Sequence, residues 1–410
     1  METAEGRRKE DEHVMIFPFM AKGYMIPLLH LSSALSSSGV AVTFVTTPQN
    51  SSFVRQFLPP NPNITLVHLP FPSHPSLPEG CESTDHLPSP DLFPAFFAAT
   101  ELLRRPFRRH VRRLSQSGSL PLCVISDFFL GWTLHECRYF DVPRVVFHGM
   151  GVFAMLFSKS LVATQAHVAA AAAGEETFHV PGTPESLFLT DADVPDSFGE
   201  FNPGNPILQF AIKNAEDDEG SWGVLVNSFT EMESDYVAPL MAHYKIAGAW
   251  LAGPLCLRSP PAGAGSDSGE CLGWLDGKAP ASVVYVCFGT QTHVSPEQLD
   301  KVVQGLYMSG HEFLLVARTA GCLPPPPPAA SRRQGLIVRG WARQREVLVH
   351  RSTGGFVSHC GWNSMLDSLS AGGADSGLAD DRRAVAEREV RGGRAWGRAE
   401  DGAHWAGPSQ

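Results

Sequence analysis

The stretch "GWARQREVLVHRSTGGFVSHCGWNS", Gly340 to Ser364, decides how the rest of the chain is read. An apolar run ends at Trp341, and Gln344 follows three residues later. "GGFVSHCG" then reads as a buried strand entering a tight turn, with a helix starting near Asn363. Trp341 offers a flat face to a planar ring, and Gln344 has an amide to bond a sugar or base edge. A helix start exposes free N–H groups and favours an anion. His359, Gly361, Asn363 and Ser364 at this corner therefore suit a nucleotide diphosphate. The same residues equally suit an ordinary strand–helix corner around a buried tryptophan, and both readings stand at this level.

Outward from this stretch, β-rich runs alternate with helical ones. Upstream lie "SVVYVCFGT" as a strand, "SPEQLDKVVQGLYMSG" as a helix, then "EFLLVAR" and "GLIVRGW" as strands and "QREVLVH" as a helix. The first half repeats the rhythm. "HVMIFPF" (His13 to Phe19) is a strand, followed by a glycine turn and the amphipathic "MIPLLHLSSALSSSG". "AVTFVTT", "NITLVHLP", "PLCVISDFF", "RVVFHGM" and "WGVLVNSF" read as further strands. This alternation argues for an α/β protein with two doubly wound parallel sheets. Pro/Gly/Ser-rich residues 253–270 read as a linker, giving a first domain over 1–252 and a second over 271–372. "LPPPPPAASRRQ" (Leu323 to Gln334) reads as an exposed loop. Ligands of such sheets lie at the carboxyl ends of the strands.

Composition narrows the function. A 410-residue chain exceeds one ordinary core. Its net charge of −10 gives nucleic acid no broad basic surface. The basic run Leu102 to Arg113 has helical spacing and reads as a solvated face. No apolar run approaches the ~18 residues of a membrane span, and no signal-type segment precedes His13. The eight cysteines are scattered with no CxxC pair, which fits free thiols in a reducing compartment. A cytoplasmic protein, acting as a monomer, is expected. The sequons at Asn50 and Asn63 then carry no sugar.

The quoted stretch resembles the signature box of plant UDP-dependent glycosyltransferases, family 1, whose fold is the two-domain GT-B arrangement of Rossmann-like units. "W-x-x-Q", "L-x-H" and "GGFVSHCGWNS" agree in residues and spacing. "FPFMAKGYMIPLLHLSSAL", "CVISDFFLGWT", "GVLVNSFTEMES", "GPLCL", "GWLD" and "VVYVCFGTQ" follow in the family's order. The resemblance implies transfer of a hexose, glucose by preference, from a UDP-sugar to a hydroxyl of a small lipophilic acceptor. UDP-glucose or another UDP-hexose is then a co-substrate, and no cofactor is implied. No Asp-x-Asp cluster is placed for a diphosphate-bound cation, so no metal is expected.

By the same resemblance, the donor site comprises Thr290, Trp341, Ala342, Gln344, His359, Gly361, Trp362, Asn363, Ser364 and Asp367. Trp341 would stack on uracil, and Gln344 would bond the ribose. His359, Asn363 and Ser364 would hold the pyrophosphate with Thr290 beside it, and Trp362 would shape the sugar pocket. Asp367 stands where the family has a glutamate for the ribose hydroxyls, one methylene shorter. The family's reaction is an inverting displacement in which a histidine, oriented by an aspartate, deprotonates the acceptor. The aspartate is Asp127. The histidine position holds Tyr24, whose pKa of ~10 makes it a poor base at neutral pH. His13 and His30 nearby read as structural. These departures leave an inactive remnant or a UDP or acceptor binder as the alternative function. A weaker alternative is a nucleotide-dependent oxidoreductase, because Gly149-x-Gly151-x-x-Ala154 has the dinucleotide fingerprint form. It stands in mid-domain, however, and no strand ending in an acidic residue follows.

After Gly372 the family pattern stops. The family continues with a proline turn, a buried strand, a Trp-Pro pair and an acidic residue followed by Gln that grip the sugar. Residues 373–410 are instead rich in Ala, Gly, Arg, Asp and Glu, show no amphipathic period, and are expected to be disordered. Read one base out of frame, Gly373 onward permits "VPILAWPMIAEQLLNAK". Asp380 then allows only Met or Thr, and Glu389 only Lys or Arg. Trp-Pro falls on Leu378 and Ala379, and Glu-Gln on Arg383 and Ala384. A one-base shift near codon 373 accounts for the tail; an intact frame in the resequenced cDNA would sink that explanation.

Overall fold

Strand His13–Phe17 is buried along nearly its whole length, as befits a central parallel strand covered on both faces. The computed structural model describes residues 12–58, 60–194, 204–244, 248–258, 268–289, 294–317, 334–372 and 375–377. The first sheet has seven parallel strands: β1 (His13–Phe17), β2 (Ala41–Thr46), β3 (Ile64–His68), β4 (Cys123–Asp127), β5 (Arg144–His148), β6 (Gly223–Val226) and β7 (Ala249–Leu251). Their order is β3-β2-β1-β4-β5-β6-β7. Helix α1 (Lys22–Ser37) follows β1 and buries Met25, Leu28 and Leu29 against Ile16, Phe44 and Phe147. The other face closes on Phe17, Phe96, Phe107 and Trp132.

The second sheet holds β8 (Val283–Cys287), β9 (Glu312–Ala317), β10 (Gly335–Arg339), β11 (Thr353–Ser358) and β12 (Asp375–Gly377), ordered β10-β9-β8-β11-β12. Both sheets thus reverse direction beside their first strand: between β1 and β4 in one, between β8 and β11 in the other. These are the switch points where α/β sheets bind ligands. Helix Pro296–Met308 begins in a capping box, with Ser295 and Gln298 each satisfying the other's backbone N–H.

Three features depart from the sequence reading. β7 was not anticipated; three residues are too few to show alternation. The segment read as linker begins in ordered packing: Leu255 is buried in the first core, and its N–H bonds Asn227 Oδ1 at 2.9 Å. The tail, expected to lack structure from 373, instead adds β12, which pairs in parallel with β11 from Phe356 to Ser358. An open sheet edge recruits backbone whatever the side chains are. Residues 378–410 and most of the polyproline loop lie outside the described residues.

Candidate functional site

The second switch point gathers most of the donor set. β11 ends at Ser358, and the chain turns through His359, Cys360 and Gly361 into helix Trp362–Ser370. Cys360 has φ +59°, a left-handed conformation that costs energy outside glycine. A Cβ on Gly289 would stand 2.5 Å from the His359 ring, and one on Gly361 would stand 2.4 Å from it. The two glycines therefore form the seat of this imidazole. Gly361 offers no side chain to cap the helix, so the first N–H groups remain for an anion. Thr290 lies outside the described residues, next to Gly289.

The ribose-binding candidates already hold one another. Gln344 Nε2 donates to Asp367 Oδ2 at 2.9 Å and to Ser364 Oγ at 3.2 Å. Burial pushes the Asp367 carboxyl up, with the Gln344 bond opposing it. Ala342 is buried in the second core. Trp341, just past β10, meets the first domain: Phe53 approaches its ring edge-on at 6.2 Å, and Lys22 Nζ lies 5.1 Å from the ring centre.

Asn363 and Trp362 also cross the cleft. Asn363 Nδ2 donates to the Gly23 carbonyl at 2.6 Å, fixing the start of α1 beside the start of the second-domain helix. Trp362, expected to shape the sugar pocket, is 3% exposed, and its indole N–H donates to Asn227 O at 2.7 Å. A Cβ on Gly151 would meet its ring at 2.5 Å. The Trp362 ring therefore lies within the domain contact, packed with Phe229 and Met232.

At the first switch point stand Tyr24 and Asp127. Tyr24, in the first turn of α1, stands edge-on to Phe19 at 5.7 Å and to Phe129 at 5.3 Å. Asp127, at the end of β4, is fully buried. Its Oδ1 accepts from Phe129 N at 3.0 Å, and its Oδ2 has no hydrogen-bond partner. Burial pushes this carboxyl up to about 7, against the Phe129 N–H and the Arg144 charge. Phe129 is common to both: its ring meets Tyr24, and its backbone N–H is the donor to Asp127. His30 is pushed down to about 4 by burial and the Arg345 charge, which suits a structural histidine.

Three residues of this site carried no signal in the sequence. Arg144 is wholly buried and donates to Ser126 Oγ, Ser221 Oγ and the Asp127 carbonyl, which fixes β4 to β5. Asn227 binds both Leu255 and Trp362. Glu233 is buried, and its carboxylate accepts from Val152 N and Phe153 N, both at 2.9 Å. That carboxylate fills the helix start where the Gly149-x-Gly151 fingerprint would need a pyrophosphate, which removes the dinucleotide reading.

Two like-ordered parallel sheets meeting across a cleft define a GT-B glycosyltransferase fold. Residues 10–190 match the family model "Glycosyltransferase, N-terminal domain", and residues 270–374 match "UDP-glucoronosyl and UDP-glucosyl transferase". The second match stops within two residues of the composition break. A scopoletin glucosyltransferase of Nicotiana tabacum is 38% identical over 381 residues, 88% of this chain and 78% of that relative. A UDP-glucose flavonoid 3-O-glucosyltransferase of Fragaria ananassa is 34% identical over 379 residues, covering 88% and 75%. Arabidopsis thaliana UGT89C1 complexed with UDP-L-rhamnose superposes with a TM-score of 0.70 at 26% identity, over 89% of this chain and 79% of that one. Glycyrrhiza uralensis UGT73P12 gives 0.77 at 24%, over 92% and 79%. The chain belongs to the plant family 1 UDP-glycosyltransferases, a family of transferase enzymes. Among the described residues no single helix is long and apolar enough to cross a membrane.

Proposed function

We propose that this chain binds a UDP-hexose, glucose by preference, for transfer with inversion to a hydroxyl of a small lipophilic acceptor, and that as written it turns over slowly or not at all. Uracil stacks on Trp341, and Gln344 and Asp367 bond the ribose. His359, Asn363 and Ser364, with Thr290, take the pyrophosphate at the uncapped helix start. In the reaction the acceptor O–H gives its proton to water in place of the family's histidine, its oxygen bonds the anomeric carbon from behind, and the bond to the diphosphate oxygen breaks to release UDP. No group in this donor set calls for a metal. The names of the glucosyltransferase relatives support the donor, and the Gln344–Ser364–Asp367 network supports the site.

One observation carries the low turnover. The buried Asp127 has an oxygen without a partner, and Tyr24 occupies the chain position where the family pattern carries a histidine. Loss of a general base costs about 10²–10⁴ in rate. Acidic phenols, half-way to their anions already, suffer least. The tail adds to this, since Arg383 and Ala384 replace the acidic-Gln pair that would grip the sugar. A binder without turnover is the second reading, favoured by the same two features.

UDP is expected to raise the melting temperature of the purified protein, because a ligand of the native state stabilises it by mass action. UDP-glucose with a panel of phenols is expected to give little product. Absence of any UDP effect on melting would refute the donor site, and robust turnover with simple alcohols would refute the role given to Tyr24.

A further inference from the structure

Lys22 stands where the two halves of the donor site meet. It opens α1 in the first domain, yet its ammonium lies 5.1 Å from the centre of the Trp341 ring in the second and 5.4 Å from that of Phe53. The carboxylate of Asp85, itself 1% exposed, lies 3.8 Å from Nζ. The next residue, Gly23, accepts the 2.6 Å bond from Asn363. Asn363 is the second residue of the helix whose start carries no side-chain cap. The main chain at Lys22 is therefore fixed beside the anion-favouring helix end, while its side chain reaches the base platform.

A planar base stacking on the ring face that Lys22 covers must displace the ammonium. The stem then swings about a backbone anchored next to Asn363, and the strongest anion within that neighbourhood is the diphosphate on the helix start. We propose that Lys22 is the first domain's contribution to the donor site: its ammonium leaves Trp341 when the base arrives and pairs with the diphosphate, which is then held from both domains. This rests on the donor-site reading above. A consequence separates ligands. A nucleoside without phosphate removes Lys22 from its ring and gives it nothing in return, whereas a nucleoside diphosphate supplies a new partner. Lys22 thereby selects for the phosphorylated ligand.

Titration of UDP and of uridine against the full chain, Lys22→Gln and Lys22→Arg tests this. Lys22→Gln is expected to weaken UDP about tenfold, the effect of losing a charge-assisted contact, while uridine binds as before or tighter. Lys22→Arg keeps UDP within about threefold, since the charge remains although its geometry changes. The advantage of UDP over uridine shrinks with added salt in the unmodified protein and barely moves in Lys22→Gln. Equal weakening of both ligands in Lys22→Gln, or no change in either, would overturn the role of Lys22. Unchanged UDP binding in that variant overturns this inference alone and leaves the donor site standing. Failure of the unmodified protein to bind either ligand overturns the donor site, and Lys22's role with it.

Discussion

At the switch point between β8 and β11, the functional side chains are engaged with one another. Gln344 holds Asp367 and Ser364, and two glycines seat His359. At the corresponding place between β1 and β4, the acid is buried with one oxygen unpartnered and its expected base is replaced by a phenol ring. The strand order is the same in both sheets, so topology does not set the difference. What differs is the residue set delivered to the strand ends. If the proposed roles hold, donor binding and proton transfer rest on separate residues in separate domains, and one can be lost without the other. On the proposed reading, the two switch points carry separate halves of the family's chemistry, which makes them separately testable.

The largest expected effect lies on the weaker side of the comparison. Tyr24→His places an imidazole beside Asp127 and is expected to raise turnover by about 10²–10⁴. Adding Asp127→Asn to that variant should remove most of the gain, measured as product formed with an acidic phenol. On the stronger side, Gly361→Ala drives a Cβ into the His359 ring at 2.4 Å. Overpacking of this kind costs about 1–3 kcal/mol, read as a lower melting temperature together with weaker UDP binding. A fall in stability with intact UDP affinity would detach His359 from the donor.

Comparable in size to the overpacking is a pH slope. Asp127 is raised from 3.8 to about 7 in the folded protein. A carboxyl raised on folding gives stability that is complete below its unfolded value and is lost as pH rises through the folded one. The protein is thus expected to lose stability between about pH 4 and pH 7, by an amount of order a few kcal/mol. Asp127→Asn should flatten that slope in denaturant titrations. A partnering imidazole in Tyr24→His should move the loss to lower pH, by pulling the carboxyl back toward its ordinary range.

The strands and the corner after β11 were legible because their signals are local. Buried parallel strands show as apolar runs, and the stretch from Trp341 to Asn363 runs through one short helix and one strand into the start of the next helix. The domain contact was not legible. Trp362 and Asn227 are 135 residues apart, and neither has a pattern that names the other. Glu233 reads as one acid among several in "TEMESD", although it is the buried cap of a helix eighty residues away. β12 was missed for the opposite reason: its side chains argue against a strand, and only the open edge of β11 recruits it. Lys22 carries no signal of its own in the sequence, and only the fold brings Trp341 to it.

The direct test of a retained grip beside a missing base is one paired measurement: the Kd for UDP and the rate of UDP-glucose turnover with an acidic phenol, in the unmodified chain and in Tyr24→His. The expected result is the same Kd in both and a rate at least about a hundredfold higher in the variant. Equal rates, or a gain in rate that comes wholly from tighter UDP binding, would contradict it.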